Sequence, residues 1–130
     1  MRYPQTIAVT VQNAMLKCAG FTAVLLIADY LVPSLYGGSW WRSLAPILVT
    51  AGVLTAIGAL ADLVIVPRLG NLRSLLLGWP AMAAIIWAVP QAWPRTRMTV
   101  LAAVLLAAGA APLEAALHRY VGVNLFGWRR

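Results

Sequence analysis

Acidic residues are almost missing from this chain. Three Asp and Glu stand against ten Lys and Arg in 130 residues, and the formal net charge is +7. Charged residues of either sign make up only 10%, too few to clothe a water-soluble domain of this size. The single cysteine, Cys18, excludes an intramolecular disulfide and leaves no basis for a thiolate metal site. A lipoprotein anchor at Cys18 is excluded too. Lys17 precedes it where a small residue is needed, and the apolar run follows it instead of leading to it. With one histidine, His118, nucleophile–base pairs are scarce: Ser34, Ser39 and Ser43 have no imidazole at a compatible depth, and Ser74 alone could share one. No Gly-rich phosphate loop, HExxH or CxxC occurs. We therefore expect a non-enzyme with no cofactor and no resident metal. No basic and aromatic surface of useful length exists either, so nucleic acid is not an expected partner.

What is abundant is apolar. Hydrophobic residues are 62% and the mean hydropathy is +0.83. A single small domain cannot bury that excess, whereas lipid solvates it. The pattern predicts one all-α domain over residues 1–130, a bundle of four transmembrane helices at about 6–32, 43–66, 72–92 and 98–120. Cys18 to Ala28 behind Lys17 has the look of a signal-peptide core. Ile7, Val9, Val11, Met15 and Leu16 carry the apolar character backward, and the segment is read as a retained span. Lys17 is expected to snorkel to the head groups. Pro33 ends the first helix, and Gly37 and Gly38 break the chain before Trp40 and Trp41, which belong to an interfacial aromatic belt. Pro67, Arg68, Gly70 and Asn71 make a tight turn between the second and third spans. Pro80 and Pro112 sit inside spans, where such kinks are tolerated.

The basic residues set the expected orientation. Arg2, Lys17, Arg68, Arg73, Arg119, Arg129 and Arg130 fall on one side, and Arg42, Arg95 and Arg97 on the other. The richer side is cytoplasmic by this rule, which puts both termini inside a multi-pass protein of the cell membrane. Anionic head groups are then its expected surface partner.

All three acids, Asp29, Asp62 and Glu114, lie inside predicted spans. A carboxylate there costs a few kcal/mol unless it is paired, protonated or turned to a polar interior. Ala51, Thr55, Gly58, Ala59 and Asp62 share one face of the second helix. Ala103, Ala107, Ala110, Ala111, Glu114 and His118 share one face of the fourth. Each is a stripe of small residues ending in ionisable groups, and the two ends share a depth near the inner side. The candidate cluster is therefore Asp62, Arg68, Asn71, Glu114, His118 and Arg119, with Arg73 also near. Three readings of it stand side by side: an ion-pair network that fixes helix packing, a proton or cation site, and a metal site built on Glu114 and His118 at i, i+4. Asp29 stands apart on the outer side, where Arg42, Arg95 or Arg97 would pair with it.

The run ADLVIVPRLGNL, Ala61 to Leu72, followed by an apolar helix with Trp87 and by LEAALHRYV, Leu113 to Val121, resembles the YndM-like family. These are small four-helix membrane proteins of spore-forming Firmicutes, a domain of unknown function. The likeness spans the second helix to the C-terminus and, more loosely, Lys17. Glu114, His118, Arg119 and Tyr120 match its C-terminal motif. Leu75 to Pro80 departs from it by lacking the usual acid. The resemblance implies four spans and no assigned activity. The functional expectation is a non-catalytic membrane protein that associates with itself or a membrane partner through small-residue faces. The alternative is an oligomeric transporter or channel-like protein for protons, cations or a small solute.

Overall fold

The computed structural model describes residues 3–129; Met1, Arg2 and Arg130, two of them counted above among the flanking basic residues, lie outside. The described residues form α1 (Tyr3–Leu31), α2 (Trp40–Val64), α3 (Val66–Ala88), a 3-10 turn (Val89–Ala92) and α4 (Val100–Phe126), with no strand among them. All four long helices are long and apolar enough to cross a membrane.

Local chemistry explains the boundaries. α1 stops at Leu31 because Val32 precedes Pro33. Gly37 and Gly38 hold φ of 124° and 83°, which lets the chain reverse. α2 starts at Trp40, ahead of the expected Ser43, with Ser39 extended at its N-cap. The expected turn after α2 is nearly closed up. Only Ile65 separates α2 from α3, and the reversal is made at Gly70, whose φ of 75° and ψ of 178° interrupt the helix. Pro90 has no N–H to donate, so α3 tightens into the 3-10 turn. Thr99 caps α4 by accepting the Ala102 amide at 3.1 Å. α4 runs past the expected Tyr120 to Phe126, where Gly127 takes a left-handed conformation (φ 70°, ψ 27°).

The helices alternate in direction and form a ring in chain order, so α2 and α4 lie on a diagonal. Among ring neighbours α3 and α4 pack most extensively, and α2 and α3 least. The interior is built from small residues and a few large ones. Ala51, Ala103, Ala107 and Ala110 are buried beside Phe21, Leu25, Ile47, Leu54 and Ile86. Large side chains such as Leu48, Leu60, Leu72, Leu76, Leu101 and Leu105 point outward. That arrangement suits lipid, where small residues let backbones approach closely. The two small-residue stripes read from the sequence are thus consumed inside the bundle.

The two ends differ in outline. At the end holding Trp40, Trp41 and Trp93, the connections are tied together by Arg97 N–H to Leu35 C=O (3.0 Å) and Gln91 Nε2 to Met98 C=O (3.1 Å). At the other end the α2–α3 hairpin is short. α1 reaches about 21 Å beyond Lys17 and α4 about 18 Å beyond Glu114, from 14 and 12 residues at 1.5 Å each. α2 stops two residues after Asp62. The projecting pair is fastened by the Tyr120 hydroxyl donating to Gln12. Val121 is buried there, and Trp128 N–H returns to Gly122 C=O at 3.0 Å.

Candidate functional site at the bundle axis

A polar cluster sits on the bundle axis at the depth of the α2 C-terminus. α1 supplies Asn13 and Lys17, which share a face with Phe21, Leu25 and Ala28 at steps of four and three residues. α2 supplies Asp62, α4 supplies Glu114 and His118, and α3 contributes Asn71 from behind. Lys17 is 0% exposed, Asp62 1%, Asn13 2%, and Glu114 and His118 5% each. Buried charges at this level require partners, and the network provides them. Lys17 Nζ lies 2.6 Å from both Glu114 oxygens and 3.3 Å from Asp62 Oδ2. Asn13 Nδ2 donates to Asp62 Oδ2 at 2.7 Å. His118 Nε2 lies 3.1 Å from both Asp62 Oδ1 and Glu114 Oε2. The diagonal between α2 and α4 is therefore bridged by charge.

The other imidazole nitrogen defines the state of the ring. Asn71 Nδ2 donates to the Ala115 carbonyl (3.1 Å), which turns Asn71 Oδ1 toward His118 Nδ1 at 3.2 Å. Both ring nitrogens face acceptors, so both act as donors, as in the imidazolium form. Two cations, Lys17 and His118, then balance two carboxylates.

Gly58 makes room for the lysine. A side chain there would meet Lys17 Nζ at 3.3 Å. Donor atoms of Asp62, Glu114 and His118 lie within 4.8 Å of one another, a grouping able to hold a cation. The ammonium of Lys17 already lies against both carboxylates, which makes the metal reading the weakest of the three.

The expected and observed membership differ. Asp62, Asn71, Glu114 and His118 do come together. Arg68, Arg73 and Arg119 are exposed and pair with no acid among the described residues. Their side chains lie on the surface of the bundle, away from the cluster. Lys17 does not snorkel. It stands 14 residues from either end of α1 and turns inward, on the face shared with Asn13 and Phe21. Its place in the orientation count is lost with it. Glu114 lies about three turns from the end of α4, further than the one to two expected, because the helix continues past Tyr120. Asn13 was not foreseen. Its spacing of four from Lys17 and eight from Phe21 was the available signal.

Beside the cluster, the loose contact of α2 with α3 leaves a groove of about 170 Å³. Leu54, Ile57, Leu75, Met82 and Ile85 line it, together with Ser74, Asp62, Glu114 and His118. Ser74 is 4% exposed and its Oγ has no hydrogen-bond partner.

At the tryptophan-bearing end, Asp29 forms no ion pair with Arg42, Arg95 or Arg97 among the described residues, and its Oδ1 is buried without a partner. Arg42 instead lies over the Trp41 ring at 4.7 Å. Tyr36 is buried with an unpartnered hydroxyl. Burial, and then the nearby Asp29 charge, push its ionisation above the usual tyrosine range.

Fold and cluster together define a small helical-bundle protein of the membrane-spanning class with an internal charge network. The chain belongs to a family described as protein of unknown function, DUF2512, matched over residues 11–130. The match takes in every residue of the cluster. No curated protein and no solved structure matches the chain.

Proposed function

We propose that this is a non-catalytic, multi-pass protein of the cell membrane that associates with itself or a membrane partner, its axial cluster serving as an internal clasp. The observation that carries the reading is the mutual pairing of the buried charges. Each charged group of the cluster is bonded to another, and all four helices take part. Association is supported by a second set of small residues, distinct from the buried stripes. Gly52 and Ala56 on α2, and Ala108, Gly109 and Ala116 on α4, face outward. Side chains added at Gly52 or Gly109 would meet nothing within 4 Å, so both offer close approach to a neighbouring helix. Both termini are placed in the cytoplasm by the arginines near them and at the hairpin, with anionic lipid as the surface partner. The finer family assignment, to the YndM-like proteins of spore-forming Firmicutes, rests on Ala61–Leu72 and Leu113–Val121.

The test is the mass of the detergent-solubilised protein by light scattering. Wild type is expected above monomer mass, and Gly52→Leu or Gly109→Leu is expected to lower it. A monomer throughout, with no captured membrane partner, would end the association reading. The groove opening onto the cluster favours a second reading, an oligomeric carrier for protons, cations or a small solute. Flux in proteoliposomes that is lost in Asp62→Asn while the fold survives would favour that reading over the first.

A further inference from the structure

We propose that the α2–α3 groove binds a small lipophilic ammonium from the bilayer, in exchange for the proton on His118. Three features of the site point to this ligand class. The walls are apolar, and the volume of about 170 Å³ is close to that of a cavity able to hold one benzene-sized body, about 150 Å³. Two carboxylates on the wall, Asp62 and Glu114, have acceptor capacity to spare. A carboxylate offers about four acceptor positions. Asp62 uses three, for Asn13, Lys17 and His118, and Glu114 uses three, for Lys17 twice and His118 once. One position remains on Asp62 Oδ1 and one on Glu114 Oε1. Ser74 Oγ is the third feature, a buried hydroxyl on the groove wall with no bond of its own.

Charge balance supplies the exchange. The groups facing His118 are Asp62 from α2, Glu114 from its own helix and the Asn71 amide from α3. Lys17 from α1 lies against the same two carboxylates. With the imidazolium the set is neutral, and a further buried cation would leave it positive. When the ammonium enters, the imidazolium gives its proton to bulk water. The incoming N–H groups then bond to Ser74 Oγ and the open carboxylate positions. One positive charge enters and one leaves, so the site stays neutral. His118 is the member suited to this, because an imidazolium gives up its proton more readily than a lysine ammonium does.

The inference needs only a folded monomer, so it can fail or hold separately from the association reading. The experiment is calorimetric titration of the full chain in phosphatidylcholine nanodiscs with 2-phenylethylammonium, a cation across pH 6 to 8.5. The neutral isostere 2-phenylethanol is the control. Kd is expected to tighten with pH by up to about tenfold per unit, and buffers of different ionisation heat should report about one proton released per ligand bound. Gly78 lines the groove, and a side chain there meets nothing within 4 Å. Gly78→Leu is therefore expected to block the groove and abolish binding without unfolding the bundle. Ser74→Ala should weaken it about fivefold. His118→Gln, where it folds, should bind without pH dependence. No binding by the ammonium, equal binding of the alcohol, binding without proton release, or full binding by Gly78→Leu would each overturn the proposal.

Discussion

The axial cluster and the tryptophan-bearing end hold similar groups and treat them in opposite ways. At the axis a lysine, a histidine and two carboxylates are bonded to one another and almost fully buried. At the far end Asp29, Tyr36, Arg42, Arg95 and Arg97 lie in one neighbourhood of the chain, yet the acid and the phenol leave buried atoms unpartnered and the arginines stay exposed. The difference is one of access. Arg42, Arg95 and Arg97 are exposed at the connections, so nothing forces them onto Asp29. Lys17 sits fully buried on the inward face of α1, so its partners must come to it. Opposite charge at similar depth is therefore not enough to predict a pair; both groups must also face the interior.

Breaking the axis should cost most. Lys17→Met leaves two carboxylates facing one imidazolium, and we expect about 3 to 5 kcal/mol of lost stability, read by denaturant unfolding in mild detergent. Adding Glu114→Gln to Lys17→Met should restore part of that loss, because it removes a buried charge that has lost its partner. A double mutant as poor as the sum of the singles would mean that the two groups are not coupled. Asn71→Ala removes the bonds to His118 and to the Ala115 carbonyl, and about 1 to 2 kcal/mol is expected from the same unfolding curves. At the far end Asp29→Asn breaks no ion pair, and no loss of stability beyond about 0.5 kcal/mol is expected. An effect there as large as that of Lys17→Met would erase the contrast between the two regions.

The smallest effect concerns Tyr36. Its folded form keeps the phenolic proton where the unfolded chain loses it. Its contribution is therefore intact below the ordinary tyrosine value and falls as pH rises past about 10. Ultraviolet titration should show one tyrosine ionising late, and Tyr36→Phe should remove that late step. If all tyrosines titrate together, Tyr36 is not held as described.

Much of this was legible in the sequence, because apolar run length and proline and glycine punctuation dictate spans and turns directly. The helical period carried Asp62, Glu114 and His118 to one place without any tertiary information. Lys17 was misread because snorkelling was judged from helix length alone; its shared face with Asn13 and Phe21 shows where it points. Arg68 and Arg119 were assigned to the cluster by sequence proximity, yet on a helix the residue beside His118 turns about 100° away from it. The length of α4 was hidden because Val121 to Phe126 mix polar and apolar residues, and only Gly127 marks the stop.

The unequal lengths of the helices have a mechanical consequence. α1 and α4 continue past the short hairpin as a two-stranded shaft fastened at Gln12 and Tyr120. Lys17 and Glu114 ride on that shaft, while Asp62 and Asn71 belong to the hairpin. Lys17 thus joins the shaft to the hairpin through Asp62, and Asn71 joins it through Ala115 and His118. The charged axis is the coupling through which force on the termini would reach the groove.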